Sequence, residues 1–533
     1  MHKFLIPNLP AWTPTHAHMV GPDDLAIPSE IVLAENMIQC VKRVEGAAAL
    51  AIQYPAPAGI GGVLTLRTPL LPERRQPYVL ALELARFQVM LLLTKLEEWA
   101  LFETPATDPV MLKLEQALSA YTHALVVQRS TEAEGAAQGA LATAIDAGEA
   151  LALYSARVQH HKRQSGELAR LANKPAPQSA LTDHEALEST KRAAGSAGVI
   201  LPGMPRVGVA VNPAHFNPAL CQAVAEIADF VSVPMRWSQM EPTEGRYTFT
   251  PTDRWIEWAV AKANLPVVAG PVLDFEAGCV PDFAYIWEHD YETLRDVVIE
   301  HVKAVVTRYR RTVHTWTICS GLHVGSNFAI SYEQAVDLTR VCVTIARKLH
   351  PGAKVQIEIS QPWGEYTAEA SARAARSIPP AIYCDLLAQI GLEIDAVALK
   401  VQMGYPQPGR STRDLISFSA MLDRFASVDK PIALSVIGAP STPVPSAPGM
   451  PAAGSWRRPW SPQQQAEWLG NICAIAAGKP YVQSIAWQEI IDSPAPCAPH
   501  GGLLTPQGQP KPALATLQAL RASLRGTGAL AGV

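Results

Sequence analysis

The sequence predicts an α/β protein whose C-terminal side folds as a (β/α)8 barrel, preceded by a small β unit and a helical segment. Between residues 207 and 487, eight short apolar segments alternate with amphipathic helical stretches. Strands that are apolar on both faces are typical of a parallel sheet covered by helices. A doubly wound open sheet is disfavoured because the sequence has no glycine-rich phosphate turn.

The predicted barrel strands follow one another at regular spacing. They are VGVAV (207–211), ADFVSVPM (228–235), LPVVAGPVL (265–273), VHTWTIC (313–319), KVQIEIS (354–360), DAVALKV (395–401), PIALSVI (431–437) and VQSIAW (482–487). Functional residues of such barrels lie where the strands end and the βα loops begin. We therefore search those positions for a site.

The region before the barrel divides by composition. Residues 1–75 are rich in Pro, Gly and β-formers and contain the segments EIVLA, AALAIQY and GGVLTLRT, which predict a small β-rich domain. Residues 76–172 have apolar residues at helical spacing and then an Ala-rich stretch, which predicts two or three packed helices. Residues 173–204 mix Pro, Ser, Gly and charge and are interpreted as a linker, so the barrel spans 205–525.

Composition excludes several functions. The net charge of −4 and the scattered Lys and Arg residues argue against a nucleic-acid partner. The eight cysteines form no CxxC pair, so we expect no metal site and no cofactor. The start, MHKFLIPNLPAW, resembles neither a signal peptide nor a membrane anchor, which favours a cytoplasmic protein without a membrane partner. The sequence makes no prediction of oligomeric state.

One stretch after the second predicted strand, MRWSQMEPTEGRYTFTPTDRWIEWA (235–259), resembles glycoside hydrolase family 10, of which xylanases are the best-known members. The matching residues are Met235, Arg236, Trp237, Glu241, Pro242, Gly245, Tyr247, Phe249 and Asp253. Further segments similar to the family are HVKAVVTRYRRTVHTW (301–316), IDAVALKVQ (394–402), KPIALSV (430–436), IAWQEIID (485–492) and GGLLTPQGQPKPAL (501–514). The resemblance covers about residues 205–525 and implies a carbohydrate-active barrel.

The family's retaining mechanism needs an acid at the end of the fourth strand and a nucleophile at the end of the seventh. In this sequence Gly321 and Val436 stand at those places. No Asp or Glu occurs between Trp316 and Ser331, nor from Pro431 until Glu467, so a shifted alignment restores neither group. The resemblance therefore supports the fold and opposes the classical endo-1,4-β-xylanase chemistry.

Other polar and aromatic residues at the predicted strand ends are candidates for a cleft. They are Asp274, Glu276, His323, Glu358, Trp363, Glu365, Tyr366, Lys400, Gln402, Tyr405, Trp487, Glu489 and Asp492. Aromatic faces beside carboxylates and amides suit a sugar, because its apolar face stacks while its hydroxyls form hydrogen bonds.

Three hypotheses remain open from the sequence. The first is a catalytically silent barrel that binds a carbohydrate or a partner through its mouth. The second is a glycoside hydrolase that uses a relocated pair of carboxylates. The third is a non-catalytic scaffold that mediates assembly.

Overall fold

The structure, a computed structural model, describes most of the 533-residue chain. The described residues are 1–6, 15–34, 36–43, 45–127, 132–165, 203–276, 278–325, 328–368, 376–446, 452–493 and 498–526. Most of the predicted linker, residues 173–202, lies outside them. No helix in these ranges is long and apolar enough to cross a membrane.

Eight strands occupy the N-terminal region. They are β1 (His2–Leu5), β2 (Thr15–Val20), β3 (Ala26–Ile27), β4 (Ser29–Ala34), β5 (Met37–Lys42), β6 (Ala49–Pro55), β7 (Gly62–Arg67) and β8 (Tyr78–Val79). One sheet has the order β4-β5-β1-β8. A second sheet has the order β17-β7-β6-β2-β3, in which β17 (Ser455–Trp456) comes from a loop of the barrel and pairs antiparallel with β7. The second sheet is thus joined to the barrel by backbone hydrogen bonds.

Three helices follow these strands and connect them to the barrel. Their bounds are Leu80–Glu98, Pro109–Val127 and Ala133–Gln164. Near the end of the third helix the buried Arg163 guanidinium donates hydrogen bonds to four carbonyl oxygens, those of Gly203, Ala477, Lys479 and Val482. This one side chain fastens the helix to the barrel at the start of its last strand.

The predicted (β/α)8 barrel is confirmed. Its parallel strands are β9 (Arg206–Ala210), β10 (Phe230–Val233), β11 (Val267–Ala269), β12 (Leu273–Asp274), β13 (Thr315–Ser320), β14 (Lys354–Ser360), β15 (Ala396–Gln402), β16 (Ile432–Gly438) and β18 (Val482–Trp487). The β11–β13 and β9–β18 pairings close the sheet on itself. Apolar residues such as Ile357, Leu399 and Leu434 are fully buried, as the near-continuous apolar strands predict.

Helices surround the barrel between its strands. The α-helices are Pro218–Ile227, Trp237–Met240, Thr250–Glu257, Tyr291–Tyr309, Tyr332–Leu349, Pro380–Gln389, Leu415–Ala426, Pro462–Gly478 and Pro512–Leu524. Shorter turns are a π-helix at Trp258–Lys262 and 3-10 helices at Asp282–Trp287, Leu322–Val324 and Glu365–Ala368. Side chains of Asn217, Asp290, Ser331, Asp414 and Ser461 cap helix starts by accepting backbone N–H groups.

The third predicted strand differs from the expectation, because it consists of two short strands. Gly270, with φ of +118°, lies between β11 and β12, and a side chain there would approach the Thr317 carbonyl oxygen to 2.0 Å. Only glycine fits so close to a neighbouring backbone. Asp274 therefore lies within β12, paired with Ser320, rather than after the strand.

Candidate functional site

A cavity of about 200 Å³ opens at the carboxyl-terminal ends of the strands, which we call the mouth cavity. Five of the predicted cleft residues line it, namely Asp274, Glu276, Tyr366, Lys400 and Gln402. A second cavity of about 130 Å³, the inner cavity, shares four of these residues and adds Glu358 and Glu489. Carboxyl ends of neighbouring parallel strands thus bring these polar side chains together.

The strongest charge cluster in the mouth joins Lys400 of β15 to Glu276 and Arg410. Lys400 Nζ lies 2.5 Å from Glu276 Oε2, and Arg410 donates to the other oxygen of the same carboxylate. Burial alone would raise the pKa of Glu276, but Lys400 and Arg410 outweigh it and lower that pKa to about 2. Glu276 in turn outweighs burial at Lys400 and raises the pKa of the ammonium. Glu276 and Lys400 are therefore both charged at neutral pH.

Asp274 has a different protonation behaviour. Its side chain is 7% exposed, and burial raises its pKa to about 7, with the negative charge of Glu276 acting in the same direction and Lys400 opposing both. Its Oδ1 accepts a 2.8 Å hydrogen bond from the backbone N–H of Glu276. A carboxyl group that titrates near neutral pH can donate as well as accept a proton.

Glu358 of β14 lies at the floor of the inner cavity and is held by two hydroxyls. Ser320 Oγ donates to one carboxylate oxygen at 2.7 Å and Ser435 Oγ donates to the other at 2.6 Å. The side chain is 3% exposed. Both oxygens of this carboxylate are thus hydrogen-bonded to neighbouring strands, which fixes its orientation.

The two positions that the resemblance assigns to the catalytic pair lie beside this carboxylate. Gly321 follows β13 in a left-handed conformation with φ of +66°, and a Cβ atom there would lie 3.0 Å from Ser360 Oγ. Val436 belongs to β16 and lines the inner cavity. Neither residue offers a proton or a nucleophile to the cavity.

Three glutamine side chains give the mouth cavity its hydrogen-bonding character. The Oε1 atoms of Gln361, Gln402 and Gln407 are buried and have no hydrogen-bond partner among the described residues. All three glutamines line the mouth cavity. The Nε2 group of Gln402 donates to Gln488 Oε1 at 2.6 Å, which leaves its Oε1 as the free end of the amide. Each of these buried oxygens therefore lacks a donor among the described residues, and a ligand hydroxyl or an ordered water that reaches it would supply one.

Six predicted cleft residues line neither cavity. His323 is fully buried, stacks on Tyr383 and bonds the Ser360 carbonyl at 2.9 Å, and burial lowers its pKa to about 4. Asp492 is held by Lys511 at 2.7 Å. These two positions have structural contacts that account for them.

The other four are three aromatic residues and one carboxylate, and each contacts another part of the protein. They are Trp363, Glu365, Tyr405 and Trp487. Arg413 lies over the Trp363 ring at 4.7 Å and pairs with Glu365. The Tyr405 hydroxyl receives a 2.7 Å hydrogen bond from Gln488, and the Trp487 indole donates to the Gly501 carbonyl at 2.8 Å. Trp363 and Glu365 thus contact Arg413 and line neither cavity.

Glu489 lines the inner cavity, where Asn212 Nδ2 lies 3.4 Å from its Oε1. Burial raises the pKa of Glu489, while hydrogen bonds from Ser493 and Asn212 oppose this. Among the described residues, the aromatic side chains that line the mouth are Phe275 and Tyr366, which are 6% and 3% exposed.

Sequence reasoning missed Arg410, Gln361 and Gln407, which come from the loops after β14 and β15. Gln361 could have been found from the sequence, because it is the first residue beyond β14 and residues that follow barrel strands are expected at the mouth. Arg410 stands eight positions beyond β15, where the direction of a loop side chain depends on the tertiary fold.

Comparison with known proteins finds one family match, which agrees with the observed fold, and several similar solved structures. Residues 203–436 match the family model of glycosyl hydrolase family 10. Among solved structures, the chain is similar to native xylanase 10B from Thermotoga maritima, with 17% identity and a TM-score of 0.46 over 61% of this chain and 97% of that one. It is also similar to native xylanase 10C from Cellvibrio japonicus, with 16% identity and a TM-score of 0.46 over 62% of this chain and 73% of that one.

A third similar structure, xylanase 10B from Thermotoga petrophila in complex with xylobiose, has 17% identity and a TM-score of 0.45 over 61% of this chain and 95% of that one. The sequence match over residues 203–436 and the closed eight-stranded barrel identify the C-terminal part of this chain as a barrel like that of glycosyl hydrolase family 10.

Proposed function

We propose that the barrel binds a small carbohydrate in its mouth cavity and does not hydrolyse glycosides through the family's pair of carboxylates. The observation that carries this proposal is the set of three unpartnered amide oxygens, on Gln361, Gln402 and Gln407. Hydroxyl groups of a sugar would donate to them, and a cavity of about 200 Å³ suits a single sugar unit rather than a long chain.

The charges in the mouth support a neutral ligand. Lys400 and Arg410 already pair with Glu276, so an anion would have to compete with that carboxylate. The absence of a carboxyl group at Gly321 and Val436 supports binding without classical xylanase turnover.

A binding screen run beside a hydrolysis assay tests this function. We expect monosaccharides or disaccharides to bind the wild-type protein and the variant Gln361→Met/Gln402→Met to lose at least about tenfold in affinity. Gln389→Met is a matched control, because Gln389 is exposed at the end of the helix Pro380–Gln389 and lines neither cavity. No saturable sugar binding by the wild-type protein would contradict the proposal.

The same assay tests a relocated hydrolytic pair. Asp274, whose pKa is raised to about 7, lines the inner cavity together with Glu358 and Glu489. Since two of these carboxyl groups could act as an acid and a nucleophile, the assay measures hydrolysis of xylan and of aryl glycosides. We expect no turnover. Turnover by the wild-type protein that is abolished in Glu358→Gln or Glu489→Gln would contradict a binding-only function and show that the barrel is a glycoside hydrolase.

A second candidate function is a non-catalytic scaffold. It is favoured by the small aromatic surface in the mouth, since the two described aromatic lining residues are almost completely buried and offer no open face for a sugar ring. A chain that binds no glycan yet assembles with itself or another protein in sedimentation experiments would support the scaffold over the sugar-binding function.

A further inference from the structure

A third cavity, larger than the mouth and inner cavities, lies at the opposite end of the barrel, where the strands begin. We call it the basal cavity; its volume is about 660 Å³. The interior of such barrels is usually filled by bulky branched side chains. Here small side chains from the strands line the cavity, among them Ser232, Ala433, Ser484 and Ala486, and they leave this end of the interior open.

The basal cavity is surrounded by positive charge. Six basic residues line it, and none of its described lining residues is acidic. They are Arg206, Arg310, Arg311, His314, His350 and Lys354. Five of these side chains are exposed at the rim and His350 is half-buried, so the charges face solvent at the entrance. This local charge contrasts with the net charge of −4 of the whole chain.

The two histidines present donors as well. His350 Nδ1 accepts a hydrogen bond from the Trp316 indole at 3.2 Å, and His314 Nδ1 accepts one from the Val267 backbone N–H at 3.3 Å. Since each Nδ1 accepts, the proton of the neutral ring is on Nε2, which is then a donor. Burial lowers the pKa of His350, and the neighbouring positive charge of Arg310 lowers it further, which favours the neutral ring.

We propose that the basal cavity is a binding site for a small phosphorylated ligand, separate from the sugar site in the mouth. Guanidinium, ammonium and imidazole groups offer donors, and phosphate oxygens supply the matching acceptors and negative charge. The volume exceeds that of a single phosphate and admits a phosphorylated sugar or a ligand of similar size. The cavity also shares Ser232 and Ser435 with the inner cavity, so the two sites approach each other inside the barrel.

Helix geometry suggests another explanation for part of this charge. Arg310 follows the helix Tyr291–Tyr309, and a cation at a helix C-terminus is stabilised by the helix dipole. That role needs no ligand, and it also applies to Arg311 and to His350, which follows the helix Tyr332–Leu349. Arg206 and Lys354 stand at the starts of β9 and β14 and are not explained by it.

Calorimetric titration of the full-length protein with inorganic pyrophosphate and with glucose 6-phosphate tests the site, with glucose as the neutral probe. We expect both phosphorylated probes to bind and the variant Arg310→Gln/Arg311→Gln to lower their affinity at least about tenfold. Raising the salt concentration to about 0.5 M weakens binding, because these charges are exposed. Glucose should not compete with pyrophosphate.

Arg43→Gln is the matched control, since Arg43 is an exposed arginine of the N-terminal region and lines neither the mouth nor the basal cavity. It should keep wild-type affinity. An equal loss in Arg43→Gln, or no saturable binding of either phosphorylated probe by the wild type, would overturn the proposal. Gln361→Met/Gln402→Met should leave pyrophosphate binding unchanged, so failure of the mouth site and failure of the basal site are told apart.

Discussion

At the mouth of the barrel, Lys400 and Arg410 both contact the Glu276 carboxylate, whereas at the opposite end Arg310 and Arg311 line a cavity to which no described lining residue contributes a carboxylate. The same closed sheet thus carries a neutralised site at one end and a positive site at the other. The two ends differ in charge because the residues at the strand ends and in the adjoining loops differ, while the barrel framework is shared.

The largest expected effect comes from Arg163, a buried cation near the start of β18 whose guanidinium is already hydrogen-bonded to protein carbonyls. Replacing Arg163 by Met removes one hydrogen-bond donor from each of four carbonyl oxygens, and we expect the free energy of unfolding to fall by about 3 to 5 kcal/mol. Urea unfolding measures the loss. Arg157→Met, an exposed position on the same helix, should change it by less than about 0.5 kcal/mol. Equal losses in both variants would contradict the fastening role of Arg163.

Removing the negative charge of Glu276 would make the mouth cavity more positive and thus more similar to the basal cavity. In Glu276→Gln, Lys400 and Arg410 lose their shared partner, and we expect a destabilisation of about 2 kcal/mol together with new binding of pyrophosphate in the mouth. The Arg310→Gln/Arg311→Gln background isolates this binding from the basal site. Glu244→Gln, at an exposed residue, is the control and should acquire none. A Glu276→Gln protein that gains no anion binding would show that charge pairing does not set the ligand preference of the mouth.

Protonation of Asp274 should make stability depend on pH. Its pKa is raised to about 7, chiefly by burial, so its contribution to stability is fully present below the ordinary Asp range and is lost as the pH rises through about 7. Asp274→Asn keeps an acceptor for the Glu276 N–H and lacks this titration. We expect the variant to gain about 4 kcal/mol over wild type between about pH 4 and pH 8 in urea unfolding. A pH-independent difference between the two proteins would argue against a raised pKa.

The smallest expected effect concerns the stability of the basal rim. Arg310→Gln should change the free energy of unfolding by less than about 0.5 kcal/mol, because its side chain is exposed. Thermal and urea unfolding of this variant beside Arg163→Met separate a ligand-binding cation from a structural one. A loss similar to that of Arg163→Met would assign Arg310 to the framework.

Much of the barrel could be predicted because its strands are apolar on both faces and alternate with amphipathic helices. The break at Gly270 could not, since it depends on the close approach of the Thr317 carbonyl from another strand. Likewise, Lys400 and Gln402 could be placed at the mouth from their position at a strand end, whereas Arg410 lies in a loop whose path is set by tertiary contacts. Trp363 was predicted in the cleft, but Arg413 covers its ring.

The pairing of β17 with β7 has a consequence for synthesis of the chain. In the same region Gln53 donates to the carbonyl of Ala452, a residue 399 positions later. At ordinary translation speeds, the segment that contains Ala452 and β17 is synthesised roughly 20 to 80 s after the N-terminal strands. During that time the edge of β7 is open to other extended chains, so completion of the N-terminal sheet is limited by the ribosome rather than by local folding.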